Sequence, residues 1–294
     1  MDRLDRLRTR MEAAGTDLLV LGPGAHMAWL SGVAPHADER PCLLLVGPGR
    51  AGFVMPALNA ADARQHSDLP FWEWRDEDGA GDALARGLAH VAPNGARRIG
   101  LDETMRADFA LMMIDALPGA ERRLAAETVG ALRMVKDAAE IAALRENARI
   151  ADAAQTALRA AIRPGITETA LADVARAAFA AHGARPEFTI VGAGANGAFP
   201  HHHTGETQLR SGDAIVVDIG GRKGGYYSDI TRMAACGHAP EGYAEVHAVV
   251  DAAVRAALGV IRPGVPARAV DAAARGVIVA AGHGAHFTHR TGHG

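Results

Sequence analysis

Apolar and polar positions alternate along the first third of the chain in two different periods. In MDRLDRLRTRMEAAG, Leu4, Leu7 and Met11 recur at helical spacing, which predicts an opening helix. Short apolar runs at 17–21, 42–46 and 52–55 predict strands, helical patterns follow at 57–65 and 80–91, and a further short strand is expected at 98–101. This alternation predicts an α/β domain ending near 124–133, so the chain divides into residues 1–130 and 131–294. The second part opens with DAAEIAALRENARIADAAQTALRAAI, a long helix started by Asp137 with Glu140 three residues on, a capping-box pattern, and stopped by Pro164 and Gly165.

The pattern then repeats. ALRAAIRPGITETAL at 157–171 is echoed by ALGVIRPGVPARAV at 257–270, an offset of 99 residues at the shared Arg-Pro-Gly, and Gly183, Phe188 and Thr189 match Gly282, Phe287 and Thr288. Each copy predicts a helix, an Arg-Pro-Gly turn, a second helix and a Phe-Thr strand. The first copy leads on to His201 and a hairpin bearing Asp218 and Asp229. At the same offset their partners would fall near positions 300, 317 and 328, outside the 294 residues. A two-fold site would then be cut in half, and the native chain is expected to continue past Gly294.

The hairpin is AIVVDIGGRKGGYYSDITRM, at 214–233, two β-rich runs around Gly224 and Gly225. A turn centred between Lys223 and Gly224 puts Asp218 and Asp229 directly opposite each other on one face. Two like charges so placed destabilise a sheet, and apolar neighbours strip their hydration. A divalent cation between them resolves the conflict, because carboxylates suit such ions and can bridge a pair of them. The alternative is that Asp229 caps a turn and Asp218 is a partly exposed edge residue.

Histidines cluster at 201, 202 and 203 and again at 283, 286, 289 and 293. Imidazole is a common metal ligand, and Gly292 and Gly294 flank His293. Beside the acidic hairpin, His201 and His293 become candidates. His202, His203, His283 and His286 read as polar loop residues.

Composition narrows the partners. A 49% hydrophobic, 22% charged chain is an ordinary globular protein, and a formal net charge of −3 with 4% aromatics gives no basic or stacking footprint for nucleic acid. Only Cys42 and Cys236 are present, which implies neither a disulfide framework nor a cysteine metal site and fits a reducing, cytoplasmic setting. The charged start is unlike a secretory signal, and no run approaches the roughly 18 apolar residues of a membrane span.

The motifs VVDIGGRKGGYYSDITRM, PHHHTG and HRTGHG resemble those of the Xaa-Pro dipeptidase and aminopeptidase P branch of the creatinase/methionine aminopeptidase-like metallopeptidases. RLDRLRTRMEAAGTDLLVLGPGAHMAWLSG looks like that family's creatinase-type N-terminal domain, and LRMVKDAAEIAALRENARIAD like the entry to its catalytic domain. The resemblance spans essentially the whole chain. It implies an α/β N-terminal domain followed by a pseudo-two-fold "pita-bread" catalytic domain holding two divalent metals, commonly manganese, cobalt or zinc.

By the same resemblance, Asp218 matches the first carboxylate ligand, Asp229 the bridging carboxylate and His293 the histidine ligand. His201 matches the histidine that contacts substrate and the tetrahedral intermediate, and His289 one near the proline side of the pocket. The implied reaction is hydrolysis, by a metal-bridging hydroxide, of the bond between a first residue and a proline at the second position of a peptide. A homodimer is a further implication. The sequence departs from the family in lacking two glutamate ligands and another histidine downstream of Gly-His-Gly. Hydrolysis by this polypeptide itself is therefore expected to be weak or absent, and the catalytic sheet to keep an exposed edge. Two other readings remain: a same-fold, creatinase-like hydrolase of a small non-peptide amide, and a non-catalytic binding protein.

Overall fold

The computed structural model describes residues 2–292. The chain forms two compact units, Met1–Asp137 and Ala138–Gly294.

The first unit runs α1 (Arg3–Ala14), β1 (Leu18–Leu21), α2 (Ala25–Ser31), β2 (Leu43–Val46), β3 (Ala51–Pro56), α3 (Ala57–Ala63), β4 (Phe71–Trp74), α4 (Gly81–Val91), β5 (Arg98–Leu101), α5 (Ala107–Ala116), β6 (Glu121–Leu124) and α6 (Val129–Met134). The six strands form one mixed sheet in the order β4-β3-β2-β1-β5-β6. Every residue of β1, β2 and β3 is buried, as a sheet covered on both faces requires. Alternate residues of β1 serve the two faces. Leu19 and Leu21 join Leu7, Met11 and Met27 in one core, while Leu18 and Val20 join Leu84, Phe109 and Met113 in the other. The two strands not foreseen from the sequence, β4 and β6, are the sheet's edges, where one-sided pairing relaxes the apolar alternation.

The second unit runs α7 (Ala138–Ala161), α8 (Glu168–Ala181), β7 (Arg185–Ala193), β8 (Ala214–Lys223), β9 (Tyr226–Tyr227), β10 (Ile230–Ala235), α9 (Tyr243–Val260) and α10 (Ala267–Ala280). β8 is central in an antiparallel sheet ordered β10-β8-β7, with β9 pairing to β8 at the hairpin tip. Leu158, Leu171, Phe179, Val191, Ile215, Val217 and Ile219 form the core between the α7–α8 pair and this sheet.

Three buried polar residues of α7 hold the hairpin. Glu140 accepts from the Tyr226 hydroxyl at 2.9 Å, Asn147 Nδ2 donates to Lys223 O at 3.1 Å, and Gln155 Nε2 donates to Val217 O and Ile230 O, both at 3.1 Å. Their spacing of seven and eight residues keeps all three on one helix face.

The repeat appears in the helices. α8 and α10 begin and end 99 positions apart, and so do the last residues of α7 and α9. The expected Phe-Thr strand is present in only one copy. Phe188 and Thr189 lie in β7, paired with β8, whereas Phe287 and Thr288 are in no strand. Here the carbonyls of Phe287 and His289 are taken by the Arg275 guanidinium, at 2.7 Å each, in place of a neighbouring strand. Among the described residues no helix is long and apolar enough to cross a membrane.

Candidate functional site

The hairpin between β8 and β10 turns one residue later than its sequence suggests. Lys223 pairs with Tyr226 and Arg222 with Tyr227, so the turn is Gly224-Gly225, both at positive φ (61° and 84°). Two such residues build the mirror-image turn whose twist matches a hairpin, and only glycine adopts it without strain. In this register Asp218 faces Thr231, not Asp229. Asp229 lies two residues before Thr231, in the short break between β9 and β10, and is exposed, whereas Asp218 is half-buried. The direct like-charge pairing expected from the sequence is therefore replaced by a hydrogen bond: Thr231 Oγ1 donates to Asp218 Oδ1 at 2.7 Å. Gly220, next on this side of β8, lets Phe188 close over the strand, since a Cβ there would lie 2.2 Å from its ring.

His201 is exposed on the loop from β7 to β8. His202 N donates to Phe199 O at 3.0 Å, closing a turn with Pro200 in its second position and His201 in its third. His202, read from sequence as incidental, is the anchored one. Its Nε2 lies 2.8 Å from Glu168 Oε2, and Glu168 is completely buried. Glu168 also accepts from Ala193 N at 2.8 Å and Asn196 Nδ2 at 2.9 Å on Oε1, and from Gly205 N at 3.2 Å on Oε2. Burial pushes its carboxyl up, but these four donors outweigh that and hold it below its ordinary value. The return of the loop runs along β7, where the Thr204 hydroxyl bonds Val191 N (2.9 Å) and Thr189 O (3.2 Å), on either side of Ile190, the β7 partner of Asp218. An open cleft of about 350 Å³ lies here, lined by Arg176, Glu187, Thr189, Ile190, His202 and His203 among others.

His289 sits elsewhere, on a segment tied to α10. Asp271 accepts from Arg275 Nε (2.9 Å), Thr291 N (2.7 Å) and Thr291 Oγ1 (2.8 Å), and Arg275 lies over the Phe287 ring at 4.4 Å. The Arg275 guanidinium, helped by Thr291, holds the Asp271 carboxyl far below the usual carboxylate range. His289 is exposed, its Nδ1 2.7 Å from Arg290 O. His293 lies outside the described residues.

Among the described residues the group with ligand-like spacing is His26, Asp102 and Glu103 in the first unit, with donor atoms within 4.8 Å of one another. Its hydrogen bonding disfavours a metal. Arg133 Nη1 donates to His26 Nδ1 at 2.9 Å, which leaves the proton on Nε2, directed at Glu103 Oε1 3.2 Å away. Ligation through Nε2 would move that proton to Nδ1 and set it against the Arg133 donor.

Sequence reasoning missed Glu168, Asp271 and Arg275. Glu168 looks like an ordinary first-turn acid behind the N-cap Thr167. The usable signal was the repeat itself, because the matching position in α10 is Ala267, so a helix of this kind starts without an acid.

Comparison with known proteins follows the same two units. Residues 142–294 match the model of "Metallopeptidase family M24", and residues 3–135 that of the "Creatinase/Prolidase N-terminal domain". A probable dipeptidase PepE of Mycobacterium tuberculosis is 38% identical over 96% of this chain and 76% of its own length. An Xaa-Pro dipeptidase of Pyrococcus horikoshii is 25% identical over 100% of this chain and 81% of its own. The crystal structure of dipeptidase PepE from Mycobacterium ulcerans superposes with a TM-score of 0.92 at 36% identity, covering 99% of this chain and 79% of that one.

Proposed function

The chain belongs to metallopeptidase family M24, with a creatinase/prolidase-type N-terminal domain before its pita-bread domain, and we propose that it hydrolyses the bond between a first residue and proline in dipeptides or peptide N-termini. The observation that carries this reading is the hairpin, where Asp218 is held by Thr231 and Asp229 stands two residues away. The relatives named as dipeptidases and Xaa-Pro dipeptidases support the substrate class.

The donor set fits divalent ions. Asp218 and Asp229 offer hard carboxylate oxygens, His293 an imidazole, and manganese, cobalt and zinc all accept that combination. We assign these three residues as ligands. Such ions, when bound, supply Lewis-acid activation of a water and of the scissile carbonyl. His201, on its exposed turn, is assigned to hydrogen-bond the oxyanion that develops at that carbonyl, and His289 to the proline side of the substrate. Two further carboxylate donors would complete the site that the resemblance implies, and the described residues place none beside this hairpin in a ligand-like cluster. A cytoplasmic setting fits two buried free thiols, one of them, Cys42, pushed up to about 12 by burial and by Asp38. A homodimer is proposed on the resemblance alone.

The test is an assay of the protein purified from its native source. Xaa-Pro dipeptides, proline-free dipeptides and small amides would be compared with manganese, cobalt or zinc added and after chelation, for wild type and Asp229→Asn. Metal-dependent release of proline, lost in the variant, is the expected result. Preferred cleavage of a small amide would move the protein to creatinase-like chemistry, and full activity in the variant would remove Asp229 from the site.

A further inference from the structure

We propose that Glu168 is a positioning residue for His201, acting through His202. The inference rests on the functional reading above for what His201 does, but its geometry stands by itself. The loop from Ala193 to Gly205 leaves the sheet and returns to it, and both of its ends are bonded to one carboxylate: Ala193 N and Asn196 Nδ2 on Oε1, His202 Nε2 and Gly205 N on Oε2. The base of the loop is fixed to the same short stretch of chain, since Glu168 N donates to Thr207 O at 3.0 Å and the Thr169 N–H and hydroxyl both donate to Gly205 O, at 3.0 and 2.9 Å. The turn at 199–201 is exposed throughout, Phe199 to 64%.

His201 takes its place in this arrangement from its neighbours. The residue after it is pinned 2.8 Å from a side chain that is fully buried on α8, and the turn closed by His202 N sets the direction in which His201 points. A carboxylate is the group that suits the place, because an ionised acid is acceptor-only and here meets four donors, two of them backbone N–H groups that cannot turn away. It also fixes the tautomer of His202, whose proton must sit on Nε2.

Glutamine tests this without changing shape. In Glu168→Gln one oxygen becomes an NH₂, and of the two backbone donors Ala193 N, at 2.8 Å against 3.2 Å for Gly205 N, holds the surviving oxygen on its side, at the cost of the Gly205 bond. The NH₂ then faces His202, which can answer only by accepting, so its proton moves to Nδ1. The expected signature is a change of the His202 imidazole from the Nε2–H to the Nδ1–H form in ¹⁵N NMR spectra, with faster hydrogen exchange over 196–204.

In the kinetics of Xaa-Pro hydrolysis, the expected effect is a fall in kcat of about tenfold or more with KM within about twofold, as for a misplaced catalytic group. His202→Leu should reproduce the kinetic loss, and His202→Gln, whose Nε2 reaches as far and still donates, should rescue most of it.

Unchanged imidazole spectra and exchange in Glu168→Gln would overturn the anchoring. Full kcat in His202→Leu would overturn the positioning role. If the wild-type protein does not cleave Xaa-Pro substrates, the functional reading fails, and the spectra and exchange still decide whether Glu168 holds the loop. If Glu168→Gln does not fold, the two His202 variants, altered at a partly exposed residue, decide the question: loss in His202→Leu with rescue in His202→Gln supports the positioning role, and equal kcat in both overturns it.

Discussion

Thr231 and Asp218 face each other across the β8–β10 ladder, with the threonine hydroxyl 2.7 Å from the carboxylate it donates to. A donor on a paired strand holds a carboxylate in one orientation, which is the service that outer hydrogen bonds give to metal ligands. Thr231→Val keeps the branched shape that suits a strand and removes only the donor. Because Thr231 is exposed, its loss should cost about 1 kcal/mol of stability or less. Affinity for Mn²⁺, read by titration calorimetry, should fall by about tenfold or more if Asp218 is a ligand. Equal affinities would mean that Thr231 orients nothing.

Glu168 gives the fold a dependence on acid. Its carboxyl lies below its ordinary value in the folded protein, so the unfolded chain holds the extra proton at intermediate pH. The stabilisation is therefore complete above the unfolded value, about 4.3, and is lost as the pH falls through the lower folded value. Urea midpoints measured from pH 7 down to about 3 should drop in the wild type and drop less in Glu168→Gln. Parallel curves would assign the acid sensitivity to other carboxylates.

Much of this architecture could be read from residue order, and the reasons for the failures are physical. The strands of the first sheet that are buried on both faces, such as Leu18–Leu21, announce themselves as apolar runs, while the edge strand Glu121–Leu124, three of whose four residues are charged, does not. The repeat was legible because helices α8 and α10 keep both their ends in register. The hairpin was legible as a hairpin, but its register was set by two glycines able to take positive φ together, and placing the turn one residue early put Asp229 opposite Asp218. Glu168 and His202 were invisible as a pair, since 34 residues separate them and only folding brings their atoms to 2.8 Å.

The repeat also marks a surface. Val246, Val250 and Val254 on α9 stand where Asn147, Ala151 and Gln155 stand on α7, the face that packs on the sheet. In α9 these valines are 46%, 49% and 51% exposed, a continuous apolar stripe. Val250→Asp should reduce concentration-dependent association in sedimentation velocity without lowering the thermal midpoint. Ala253→Asp, one turn from the stripe's centre but only 3% exposed, should instead destabilise the α9–α10 pair by burying a charge. Equal behaviour of the two variants would contradict the exposure of the stripe.

Arg275 carries the last prediction. Its guanidinium makes two bonds to Asp271, bonds the carbonyls of Phe287 and His289 at 2.7 Å each, and covers the Phe287 ring, so one planar group fixes a segment that pairs with no strand among the described residues. Lysine keeps the charge but offers a point donor on a flexible stem, and it cannot meet a carboxylate, two carbonyls and a ring together. Arg275→Lys should therefore speed hydrogen exchange across 284–291 while leaving exchange in α7 and β8 unchanged, because the bonds it loses are local. His289 and Thr291 would lose their fixed position with it. If the assignment of His293 as a ligand is right, Mn²⁺ affinity should weaken in the same variant although no ligand has been altered. Exchange that stays at the wild-type rate would show that the segment is held by something other than Arg275.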